Sequence, residues 1–280
     1  RFIADNLAPI VDAAFSNPSG YNGAELALAT FFFALQIYCD FSGYSDIALG
    51  TAQLFGMKLL RNFAFPYFSR DIAEFWRRWH ISLSSWFRDY VYIPLGGSKG
   101  GTWMKIRNTF VIFLLSGFWH GANWTFIFWG FLNAIYFLPL LLSNKNRNYM
   151  GIVAEGKLFP TLGEFFKMLS TFMLTVLAWI FFRANSMHHA FSYISTIFSK
   201  TLFHIPNKKP FLAFKIHPGV GVGLILFFMF IEWLGREQQY ALATLGANWS
   251  RPVRWAFYYL LLLVIILFFG REQQFIYFQF

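Results

Sequence analysis

Charge is what this chain has least of. Only 13% of its 280 residues are Asp, Glu, Lys or Arg, against 57% hydrophobic residues. That balance excludes an ordinary soluble domain and predicts an all-α integral membrane protein. Cysteine is nearly absent as well. The lone Cys39 excludes an internal disulfide and any metal site built from cysteines alone. The glycine run Gly96-Gly97-Ser98-Lys99-Gly100-Gly101 lacks the Walker spacing and reads as a flexible loop. No repeat at solenoid periods is visible. The opening residues, RFIADN, have neither the basic-then-apolar order nor the cleavage site of a signal peptide.

Aromatic residues are abundant, at 22%, with 39 Phe and 11 Trp. A spanning helix needs about 20 mostly apolar residues. Windows at 24–39, 106–120, 124–142, 165–182, 220–234 and 253–269 meet or approach that length. Shorter apolar pieces at 46–56 and 188–203 read as half-membrane, re-entrant or interfacial helices, so a bundle with broken helices is expected. Turn and cap residues at 40–46 are expected to separate two helices, the second beginning at Ser45 or Asp46. The net charge of +10 is dispersed between apolar runs. It suits lipid headgroups or a phosphate-bearing substrate, not nucleic acid. Basic loops at 143–157 and 200–215 lie on opposite sides of one span, so the positive-inside rule assigns no orientation.

Two histidines sit in Trp-rich segments at membrane depth, His80 in FWRRWHIS and His120 in GFWHGANW. Imidazole is costly in hydrocarbon, and it exchanges a proton near neutral pH, which points to general base catalysis. Residues 71–89 read as one amphipathic helix, with Trp76, His80, Leu83 and Phe87 on one face and Arg78, Ser82, Ser85 and Asp89 on another. His80 therefore points with the aromatics, either at a ligand or into a hydrogen bond with another helix. His120 ends an apolar helix one turn after Ser116. Its flanking Gly117 and Gly121 admit close approach of a substrate or of another backbone. Asn123 is expected to cap the following helix. His188 and His189 are adjacent and point apart, and no third ligand is spaced to His80 or His120, so no metal is expected. A transporter in which the histidines relay protons, or a scaffold that merely holds another enzyme at the membrane, are the competing classes. Inverted halves would favour the transporter, and none is visible.

The segments FWRRWHISLSSWFRDYVYIPLGG at 75–97, GFWHGANW at 117–124, YCDFSGYSDIALG at 38–50 and the terminal FIYFQF together resemble the membrane-bound O-acyltransferase family, in its bacterial alginate O-acetylation branch. The resemblance covers essentially the whole chain. It implies a multi-helix bundle with broken helices around a tunnel, with residues 1–280 as the C-terminal portion of a single transmembrane domain and further helices N-terminal to it. It also implies a multi-pass protein of the cell inner membrane. By resemblance His120 is the catalytic histidine and His80 a second, tunnel-lining one. The donor would be acetyl coenzyme A or another acyl thioester. A periplasmic or surface acetyltransferase of the SGNH type would pass the acetyl group on to a polysaccharide. Arg77, Arg78 and Lys99 are the cations expected to meet the donor's phosphates. Ile93-Pro94-Leu95-Gly96-Gly97 sides with the acetyl branch rather than with the branch that transfers D-alanine to teichoic acid.

The tail at 271–280 is too short to span and too apolar to float free. It is expected to dock back on the bundle or on a partner, as an interfacial aromatic anchor. It also resembles the tyrosine-bearing terminus of the small membrane partner of the D-alanine branch. That resemblance implies that Tyr277 is an acyl relay.

Overall fold

The computed structural model describes residues 2–206 and 218–267; residues 207–217 and the tail carrying Tyr277 lie outside the described residues. The described residues form ten α-helices, and no strand occurs among them. In chain order these are α1 Phe2–Ser16, α2 Gly23–Leu54, α3 Ile72–Arg78, α4 Ile81–Phe87, α5 Gly101–His120, α6 Trp124–Leu142, α7 Leu162–Arg183, α8 Met187–Ile197, α9 Pro218–Gly235 and α10 Arg251–Leu267. The all-α expectation holds. Three of these helices, α2, α6 and α7, are long and apolar enough to cross a membrane.

Sequence signals explain the starts of two of them. Asn22 and Glu25 form a reciprocal cap on α2, with Asn22 Oδ1 accepting from Glu25 N at 2.9 Å and Glu25 Oε2 accepting from Asn22 N at 2.8 Å. Thr161 and Glu164 do the same for α7. The turn expected at 40–46 is absent. α2 runs through it as one helix of 32 residues. An isolated glycine costs a helix only about 1 kcal/mol relative to alanine. The half of α2 before Gly43 is largely buried, with Phe33, Leu35, Ile37 and Phe41 in the core, while after it only Ser45 and Ala52 are buried.

The second departure is at 71–89, which is two short helices and not one. The break falls at Trp79 and His80, where His80 takes a left-handed conformation with φ 44° and ψ 57°. The strap at 62–64 pairs the backbone groups that the break would free. Ala64 N donates to Arg78 O and Ile81 N donates to Asn62 O, both at 3.0 Å. The segment at 188–203 is α8 followed by a tight turn, Lys200–Phe203. Eleven helical residues reach about 16 Å, half of the hydrocarbon thickness.

α5 and α6 meet as an antiparallel pair whose backbones touch at two glycines. A Cβ on Gly117 would stand 2.3 Å from Phe126 O, and one on Gly130 would stand 2.2 Å from Phe113 O. Small residues permit such approach where dispersion, not water exclusion, holds helices together. Of the two readings of Gly117, approach by another backbone is the one realised. Gly117→Ala is therefore expected to push α6 away and destabilise the pair by about 1–3 kcal/mol. A lowered thermal unfolding midpoint in detergent would show this, and an unchanged midpoint would show that the contact contributes nothing.

Candidate active site

α2, α3, α4, α5, α6 and α7 enclose a cavity of about 270 Å³ whose wall includes both His80 and His120. α5 supplies Thr109, Ile112, Phe113, Ser116 and His120, one helical face extending about 16 Å from Thr109 to His120. The helix break does not undo the periodicity read from 71–89. Trp76, His80, Leu83 and Phe87 all line the cavity.

Aromatic rings hold each imidazole at its edge. His120 lies 4.8 Å from Phe182, 5.4 Å from Trp129 and 4.9 Å from Trp119, centroid to centroid. His80 lies 4.7 Å from Phe41 and 6.5 Å from Trp119. Trp119 thus borders both. Buried Asn133 supports the wall from behind, accepting from Trp76 Nε1 at 3.3 Å while donating to Trp129 O at 2.8 Å. Ser116 is buried in the cavity wall one turn before His120. Gly121 leaves α5 with a nearly extended backbone, φ 156° and ψ 163°, and its missing Cβ leaves room for the Phe126 ring, 2.8 Å from where that atom would be. Asn123 caps α6, accepting from Thr125 N at 3.1 Å, and also donates to Asn185 O at 3.0 Å.

The far end of the cavity is polar and cationic. Arg77, Arg88 and Arg147 reach its wall together with Tyr92, Ser98 and Asn146. Arg77 also donates to Asn146 O at 2.8 Å and Tyr149 O at 2.9 Å, which fixes the basic loop over α3. Arg78 is not on the wall. It donates to buried Glu74 at 2.9 Å, to Gly151 O at 3.0 Å and to Ala64 O at 3.1 Å. Lys99 is exposed and also off the wall. The glycine run is gripped by α5, since Asn108 Nδ2 donates to Gly97 O at 3.0 Å and Leu95 O at 3.2 Å.

Two wall cations were not anticipated from sequence. Arg88 had a signal, because Ser84 and Arg88 continue the His80 face at i+4 and i+8. Arg147 had only the basic composition of its loop. Arg88 pairs with Asp89 at 2.7 Å, and that hydrogen bond holds the Asp89 carboxyl below its ordinary pKa. No group of three or more His, Cys, Asp or Glu side chains placed to share a metal ion occurs among the described residues.

The family model described as MBOAT, membrane-bound O-acyltransferase family, matches residues 2–182, which include the whole α3–α7 wall up to Phe182. The chain is 38% identical over 242 residues to the probable alginate O-acetylase AlgI of Pseudomonas aeruginosa, covering 85% of this chain and 43% of that protein. It is 40% identical over 188 residues to the peptidoglycan O-acetyltransferase of Helicobacter pylori, covering 67% of this chain and 34% of that protein. To the teichoic acid D-alanyltransferase of Streptococcus thermophilus it is 34% identical over 190 residues, covering 61% and 45%. The chain thus spans less than half the length of these relatives. A match over residues 2–182, with both histidines and the cavity they share inside it, means that this chain belongs to the membrane-bound O-acyltransferase family.

Proposed function

We propose that this chain carries the reaction centre of a membrane O-acetyltransferase, which moves acetyl groups from a thioester donor, acetyl coenzyme A, to a hydroxyl acceptor destined for an extracytoplasmic polysaccharide. One observation carries the reading. A single cavity has two histidines toward one end of α5 and three arginines toward the other. That arrangement suits a donor with an anionic head and a reactive acyl end. His120 takes the proton of the acceptor hydroxyl as its oxygen bonds to the thioester carbonyl carbon. The C–S bond then breaks, and the leaving thiolate receives the proton back from the imidazolium. The apolar wall around the reacting atoms excludes water that would hydrolyse the thioester. Ser116 and His80 face the same space and are the further polar groups available to orient the acceptor.

Among the cations, Arg77, Arg88 and Arg147 are the proposed phosphate contacts, while Arg78 acts by fixing the basic loop and Lys99 stands nearby in solvent. Alginate is the acceptor favoured by the likeness to the Pseudomonas aeruginosa protein, and peptidoglycan by the likeness to the Helicobacter pylori protein. In the account proposed here an SGNH-type transferase outside the inner membrane receives the acetyl group and completes the modification. The test is transfer of labelled acetyl from coenzyme A to a hydroxyl acceptor by the full-length protein in vesicles.

A narrower prediction concerns the cationic end. Arg88→Gln together with Arg147→Gln is expected to raise the apparent donor KM by about 10-fold or more, since a hydrogen bond to a charged group contributes about 1.5–3 kcal/mol. Acceptor KM is expected to stay put. A change confined to the acceptor would place the donor's phosphates elsewhere.

A further inference from the structure

His80 has a left-handed backbone, φ 44° and ψ 57°, which an L residue bearing a Cβ adopts only where its surroundings hold it. One residue contributes several of the hydrogen bonds around it. Asn62 Oδ1 accepts from Ser82 N at 3.1 Å and from Ser82 Oγ at 2.6 Å, and Asn62 O accepts from Ile81 N at 3.0 Å. These are the two residues that follow His80. On the other side of the break, Ala64 N donates to Arg78 O. The short strap 62–64 therefore brackets His80 from both sides. The resulting turn seats the imidazole edge-on against Phe41 and on the cavity wall. A continuous helix through this position would give His80 a different direction. Asn62 itself does not line the cavity.

We propose that Asn62 is a positioning residue for His80, its side-chain oxygen fixing the left-handed turn that aims the imidazole into the cavity. The inference rests on the acyl-transfer reading for its kinetic test and on geometry alone for its second. In the full-length protein in vesicles, Asn62→Ala is expected to lower kcat by about 10- to 100-fold, the effect of misplacing a reacting group. Donor KM is expected to change by less than about twofold. Asn62→Asp keeps the accepting oxygen and is expected to restore most of the rate. Combined with His80→Ala, Asn62→Ala is expected to cause no further loss, because the two act as one unit. Losses that multiply would overturn the proposal. If Asn62→Ala does not accumulate in the membrane, Ser82→Ala removes the hydroxyl donor to the same oxygen and undergoes the same cycle.

The second readout needs no transfer. Modification of His80 by diethyl pyrocarbonate, followed by peptide mass with exposed His188 as the control, is expected to quicken severalfold in Asn62→Ala. An unchanged rate at His80 overturns the brace. Wild-type transfer by His80→Ala counts instead against His80's role in the reaction, and the modification rate still decides whether Asn62 holds it.

Discussion

Alanine at position 120 is expected to lower the rate of acetyl transfer by about 10²- to 10⁴-fold, the range that a positioned general base contributes. The protein is expected to remain folded in the membrane. His120 closes α5, and the backbone contacts of that helix with α6 at Gly117 and Gly130 are untouched by the substitution. The ring contacts with Phe182, Trp129 and Trp119 are lost, a packing change that a thermal unfolding midpoint registers separately from the rate. Initial rates at saturating donor, normalised to folded protein, make the comparison. Wild-type rates in His120→Ala would remove this residue from the chemistry.

The second large effect is expected at Tyr277, which lies outside the described residues. If its phenol oxygen takes the acetyl group, with His120 removing the proton and the thiolate leaving, then Tyr277→Phe keeps the ring and deletes the only atom that forms the ester. Polymer acetylation is expected to fall to background, while membrane accumulation is unchanged. A tail that serves as an aromatic anchor alone predicts at most a small loss, because Tyr277→Phe keeps the ring and its apolar area. Acetyl ester recovered on a tail peptide of the wild-type protein, and absent from Tyr277→Phe, would identify the carrier directly.

The helices were legible in sequence where one signal dominated. The windows at 124–142 and 165–182 coincide with α6 and α7 to within a few residues, because apolar length is decisive in both and the expected Asn123 cap agrees with it for α6. Two failures have physical causes. At 40–46 a cluster of turn formers did not break the helix, whose preceding half is packed in the core, and local propensity does not report that packing. At Trp79 and His80 the helical period persisted through a break, because the break is stabilised by residues 62–64, which lie outside the window. The cavity-facing set Trp76, His80, Leu83 and Phe87 was nevertheless correct. Both histidines singled out at membrane depth line the cavity. The cationic end was harder, since Arg77, Arg78 and Lys99 are equivalent in composition, and only the fold puts Arg77 on the wall, Arg78 against Glu74 and Lys99 in solvent.

In the proposed function His120 drives transfer of an acyl group from a thioester to a hydroxyl within this cavity. The direct measurement uses the full-length protein in sealed vesicles, with labelled acetyl coenzyme A supplied on one side and a hydroxyl acceptor enclosed on the other. Label is expected to accumulate inside as a hydroxylamine-sensitive ester, with free coenzyme A appearing outside in equal amount, and His120→Ala is expected to slow both by about 10²- to 10⁴-fold. Intact acetyl coenzyme A crossing the membrane, or ester formed equally well by His120→Ala, would contradict the proposed function.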